Sequence, residues 1–179
     1  ILIIRIRKMN LMIFFQFSEE LESKSLKKIY MIILHNKIEI KNTYKRNLDE
    51  KISALNIEPS SLINLNQWES IKIKFNKKFR FGIEISSGQN LSSIIDDLKF
   101  FSMIQISFES FKDGRGFTMA KELKKNFKFE GELRASGYIL PDQFIFLIRT
   151  GFETVEIKKE DKDIWIELLN MDDGLYYQP

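Results

Sequence analysis

Cysteine is missing from this chain of 179 residues. That excludes disulfides, thiolate metal sites, iron–sulfur ligation by this chain and a cysteine nucleophile. Histidine occurs once, as His35. One imidazole cannot build a multi-histidine metal centre, and a Ser-His-Asp triad would have to use it. His35 sits in "MIILHNKIEI", two β-rich arms around Asn36-Lys37, and reads as an ordinary strand or turn residue. An excess of one charge is lacking too: 28 Lys and Arg face 25 Asp and Glu, leaving +3. A surface so mixed is not the concentrated basic footprint of a nucleic-acid binder. The longest apolar runs are too short to cross a bilayer. Neither a dinucleotide-binding GxGxxG nor a P-loop is present, so no motif supports a cofactor.

What is present suits one domain with a sizeable core, for which 16 Phe supply bulk. The first thirty residues stand apart. "ILIIRIRKMNLMIFFQF" sets bases before a short apolar run, as a signal peptide does, but Asn10 and Gln16 interrupt the run and no small-residue cleavage site follows. The expected organisation is a non-essential extension over 1–30 and a single α/β domain over 31–179.

Within the domain, "LDEKISALNI" (48–57) predicts a short helix, while "SLINLNQWES" and "IKIKF" resist placement. From Phe79 the pattern is regular. "FRFGIEIS", "MIQISFE", "GELRAS" and "TVEIK" predict strands. Between and after them, "LSSIIDDLKFF" predicts a helix on Leu91, Ile94, Ile95 and Leu98. "FTMAKELKKNF" predicts another on Phe117, Ala120, Leu123 and Phe127. "FIFLIRT" predicts a third, stopped by Gly151, and "DIWIELLN" a last one with Asp163 as its cap. Repeated βα units behind an N-terminal β-hairpin predict an α/β fold with a mainly parallel sheet. The sheet is either half-TIM-barrel-like or open and doubly wound.

Glycine and proline are scarce, at 8 and 3, yet Gly114, Gly116, Gly131, Gly137 and Pro141 crowd into one stretch with Asp113, Arg115, Arg134 and Asp142. In parallel α/β folds ligands bind beyond the carboxyl ends of the strands. The loops 86–90, 109–116 and 136–143 should share that edge. "DGRG" supplies a turn at Asp113-Gly114, close backbone approach at Gly116, and a helix N-terminus that favours an anion beside the planar fork of Arg115. A solvent-exposed turn with a surface arginine explains the same residues. Arg134, near the end of a buried strand, needs a partner, for which Glu109, Asp113 and Glu132 are candidates. "LPDQ" begins a helix, where Asp142 favours the dipole. Small-oxyanion binding would draw on Asp113, Gly114, Arg115, Gly116, Arg134, Gly137 and Gln143. Acid/base work would fall to Asp113, Glu109 or Asp142.

The order "FKDGRGF", "GELRASGYILPDQ", "RTGF", within a signature region at 108–152, resembles the bacterial family called domain of unknown function 934. Members are described as oxidoreductases involved in sulfite reduction. The resemblance therefore implies the cytoplasm, and an accessory role in assimilatory sulfite or sulfate reduction with sulfite reductase or phosphoadenylyl-sulfate reductase as partner. The alternative is a small-molecule enzyme, an oxidoreductase or an acid/base enzyme of barrel type, that binds an anionic substrate with Arg115 and Arg134. Many relatives carry Cys where this chain has Thr150, and Asp where it has Tyr138. A redox thiol at the first position is therefore not part of this protein's chemistry.

Overall fold

The computed structural model describes residues 30–49 and 51–171. Every described element lies in the unit that begins at Met31. The reading of the first thirty residues as an extension lies outside the described residues.

In chain order the elements are β1 (Met31–His35), β2 (Ile38–Ile40), β3 (Lys45–Arg46), β4 (Ser61–Asn64) and helix α1 (Leu65–Ile71). Then follow β5 (Phe81–Ser86), β6 (Phe101–Phe108), α2 (Arg115–Lys125), β7 (Glu132–Gly137), α3 (Phe144–Thr150), β8 (Thr154–Lys158) and α4 (Lys162–Met171). The strands form one sheet in the order β2-β1-β8-β7-β6-β5-β4-β3. From β3 to β8 every pair is parallel, and β1 is antiparallel to both β8 and β2. The sheet is curled like half a barrel. Arg46 on β3 makes the curl measurable. In the strand order β3 lies five places from β8, which on a flat sheet would be roughly 24 Å at about 4.8 Å per strand. Yet Arg46 Nη2 lies 3.2 Å from Glu156 Oε2 on β8.

Side chains alternate across a strand, and here the alternation separates two chemistries. Ile63, Ile83, Ile85, Ile104, Ile106, Phe108, Leu133, Ala135, Val155 and Ile157 face one way into a single apolar core. Trp68 of α1, Ala120 and Leu123 of α2, Leu147 of α3 and Trp165 of α4 belong to the same core, so the helices cover that face. Trp68 anchors one end, its ring 5.5–5.6 Å from those of Phe75, Phe81, Phe100 and Phe101. Its indole N–H donates to Asp97, which leaves no buried polar atom unsatisfied there.

Several local expectations change. The segment predicted as a helix over Leu91–Phe101 is two 3-10 stretches, Leu91–Ser93 and Ile95–Phe100. Asn90 accepts from Ser92 N–H, and Ser93 Oγ donates back to the Asn90 carbonyl. Such local bonds compete with an α-helix, and apolar residues three apart suit both helix types. The helix predicted over 48–57 is one 3-10 turn, Ala54–Asn56, capped by Ser53. Phe127 lies past the end of α2 and is exposed. Asp163 stands in the first turn of α4 rather than before it. The unplaced "SLINLNQWES" is a strand running directly into a helix. Asn64 and Gln67 bond reciprocally there, at 2.9 and 2.8 Å, in a capping box.

Candidate functional site

Two groups of polar side chains stand out, one at the strand carboxyl edge and one on the uncovered face of the sheet. At the edge, the loops after β5, β6 and β7 are tied to one another. Asp113 is the main knot. Its carboxylate accepts from Ser87 Oγ at 2.6 Å and from Arg115 Nε and Nη2, both at 2.8 Å. It also accepts from the Arg115 backbone N–H at the start of α2. The Arg115 guanidinium, followed by Ser87 and the backbone bond, holds the Asp113 carboxyl far below the usual carboxylate range. Glu109 accepts from Ser86 Oγ and stands 3.6 Å from Arg115.

The helix N-terminus that the sequence offers to an anion is thus occupied by the chain's own carboxylate. Arg115 is shared between two carboxylates. Gly114, the residue before the helix, is in open surroundings. Gly116 lets α2 lie against Phe108, whose ring a Cβ would meet at 2.6 Å.

Gly137 ends β7 with φ +84, and a Cβ there would lie 2.5 Å from the Phe108 carbonyl, so both conformation and space call for glycine. Its neighbour's N–H, on Tyr138, donates to that same carbonyl. Gln143 completes the ties: Oε1 accepts from Leu140 N–H and Nε2 donates to the Phe111 carbonyl, each at 3.0 Å. Asp142 is exposed in the 3-10 turn Pro141–Gln143 that leads into α3. The Thr150 hydroxyl donates to carbonyls of its own helix.

Arg134 belongs to the second group. It is 2% exposed, and of its three candidate partners it takes Glu132, at 2.9 and 3.1 Å. Thr154 Oγ1 and Asn42 Oδ1 accept from it too, and Tyr44 places its ring 5.5 Å from the guanidinium carbon. Arg115 and Arg134 therefore share no partner.

The registers make Asn64, Glu84, Gln105, Arg134, Thr154 and His35 one row across β4, β5, β6, β7, β8 and β1. Glu84 and Glu156 are bridged twice. Gln105 Nε2 donates to them at 3.2 and 2.6 Å, and Arg46 reaches both. Burial opposes the charge of Arg46, but hydrogen bonds and attraction from Glu84 and Glu156 outweigh it and raise its pKa. Gln105 Oε1 is buried and accepts from no described residue.

Sequence reasoning missed Glu84, Gln105 and Glu156. The signal was legible, however, since each sits between apolar neighbours in mid-strand, in "GIEIS", "MIQIS" and "TVEIK".

The amino-terminal half of this face is covered by the chain between β2 and β3. Tyr44 OH donates to Ser102 Oγ, and its ring lies against Gly82. The carboxyl half stays open as a cleft of about 320 Å³ lined by Asn64, Leu65, Asn66, Glu84, Ser86, Gln89 and Ser107. Among the described residues no group of three or more carboxylate or histidine side chains is placed to hold a metal, and no helix is long and apolar enough to cross a membrane.

A family model described as a bacterial protein of unknown function, DUF934, matches residues 82–178, more than half of the chain. The chain belongs to this family. The DUF934 match starts in β5 and takes in all three tied loops. It leaves out β1–β4 and α1, so Asn64, Leu65 and Asn66 of the cleft stand outside it. No curated protein and no solved structure matches this DUF934 chain.

Proposed function

We propose that this protein is an accessory factor of assimilatory sulfite or sulfate reduction that docks a partner enzyme on its strand carboxyl edge. The observation that carries the docking is an apolar surface on braced loops. Phe111, Tyr138 and Leu140 are 49, 67 and 42% exposed on the loops after β6 and β7, and Gln143 joins those loops. Exposed aromatic groups on a pre-ordered backbone suit protein binding, because little entropy remains to be lost. The pathway, with sulfite reductase or phosphoadenylyl-sulfate reductase as partner and the cytoplasm as location, rests on the family resemblance alone.

Small-oxyanion binding at the same edge, or an enzyme using Arg115 and Arg134 on an anionic substrate, has less support. Each guanidinium is already bonded to a carboxylate, and the pair does not converge. The test is co-purification of the two reductases with the tagged chain, set beside a Phe111→Ser/Tyr138→Ser variant. Capture of a reductase by the parent and its loss from the variant is expected. Equal capture by both sinks the docking surface. Unimpaired growth of a deletion strain on sulfate, on sulfite and on sulfide sinks the pathway.

A further inference from the structure

The open cleft on the uncovered face is a different feature from the apolar loop tips. None of Phe111, Tyr138 and Leu140 lines it. Its volume, about 320 Å³, lies at the lower end of the range for small-molecule sites, roughly 300–1,000 Å³. It opens at the carboxyl ends of β4, β5 and β6, where parallel sheets hold ligands.

Its lining is chemically one-sided. Five groups are neutral amides or hydroxyls, on Asn64, Asn66, Ser86, Gln89 and Ser107, one is Leu65, and the sole ionisable group is Glu84. The charges around it tilt the same way. Behind Glu84, two carboxylates, Glu84 and Glu156, share the single guanidinium of Arg46. In front, Glu109 and Asp113 share that of Arg115, and Ser86 bonds Glu109. With one guanidinium shared by two carboxylates on each side, the charge left over is negative, which disfavours anions and favours cations.

The Glu84 carboxylate is fixed from behind. Arg46 Nε and Nη2 donate to it at 3.0 and 3.1 Å and Gln105 Nε2 at 3.2 Å. A carboxylate offers about four acceptor sites, so these three bonds orient it and leave room for one more donor from the cleft.

We propose that the cleft binds a small molecule bearing an amine or another cationic hydrogen-bond donor, with the Glu84 carboxylate as its anchor. The experiment uses the full chain, isotope-labelled, with the side-chain amide signals of Asn64, Asn66 and Gln89 followed by NMR. Three four-carbon probes differ in charge: 1,4-diaminobutane, 1,4-butanediol and succinate. The diamine should give saturable shifts at those amides, the diol weaker ones and succinate none. Glu84→Gln should weaken the diamine by about tenfold, the scale of one lost charge-assisted hydrogen bond.

Because Glu84 also braces Arg46, a second variant works from the surface. Asn66→Trp, at an exposed position in the first turn of α1, should fill the mouth and abolish binding. Succinate binding as well as the diamine, no saturable shift with any probe, or diamine binding retained in Asn66→Trp overturns the proposal. Phe111→Ser/Tyr138→Ser should leave the diamine shifts unchanged, so failure of the docking surface and failure of the cleft read out separately.

Discussion

Arg115 and Arg134 are two of the three arginines between residues 108 and 152, and each is held by a carboxylate two residues away in sequence. Asp113 precedes Arg115 by two positions on a loop; Glu132 precedes Arg134 by two on a strand. The pairs look equivalent, but their settings are not. The side chain of Arg115 is 61% exposed, and that of Arg134 is 2% exposed. Water and salt weaken the first attraction. The second pair is locked among Thr154, Asn42 and the ring of Tyr44, where losing one partner strands a charge. The same spacing thus braces a surface loop in one place and fastens a chain crossing to the sheet in the other.

The comparison can be broken in three steps. The largest effect is expected at Arg134. Arg134→Met should cost about 3 kcal/mol in urea denaturation, the penalty for removing one member of a buried pair. A loss within experimental scatter would mean that Glu132 finds water and that the two pairs are alike after all.

Next comes Gly137, where the strand of Arg134 hands over to the edge of Arg115. Gly137→Ala should destabilise by about 2 kcal/mol, through the left-handed backbone and the contact with the Phe108 carbonyl. A melting curve unchanged from the parent would show that the edge yields more readily than its ties imply.

The smallest effects belong to the pair whose arginine is exposed. The Asp113 pKa is lowered by folding. Its contribution is therefore complete above the unfolded value, near ~3.9, and is lost as pH falls towards the folded one. Asp113→Asn should destabilise at neutral pH, and its gap from the parent should close in acid. Arg115→Gln should do less, and less again in high salt. A gap that stays constant with pH would assign the role of Asp113 to its geometry, not its charge.

Much of the fold was legible because the physics behind it is periodic. Strands β5 to β8 carry alternating apolar residues, α2 carries Phe117, Ala120 and Leu123 on one face, and Gly151, at φ +110, stops α3 as its position suggested. Where local bonds and periodicity compete, the sequence misleads. Asn90, Ser92 and Ser93 turn an α-helical pattern into two 3-10 stretches.

The signature glycines could be given turns and close approaches in advance. The partners of the charges could not, because Ser87–Asp113 and Phe111–Gln143 join segments that only the folded sheet brings together. Glu84, Gln105 and Glu156 escaped for a different reason. Each is a polar residue between two apolar neighbours in its own strand, and only the registers gather them around Arg46.

One pairing also bears on the order in which the protein can be made. Met31 faces Lys158 and His35 faces Thr154, so the first described strand has its partner in the last described one. At about 5–20 residues per second, a ribosome needs roughly ten seconds to supply β8 after β1 has emerged. Until then β1 has β2 on one side and an open edge on the other, while Ile32 and Leu34 wait for the core that will bury them. Synthesis therefore passes through an interval in which a sticky strand is complete and its mate does not yet exist. Closure of the sheet waits for β8 and cannot follow directly on β1.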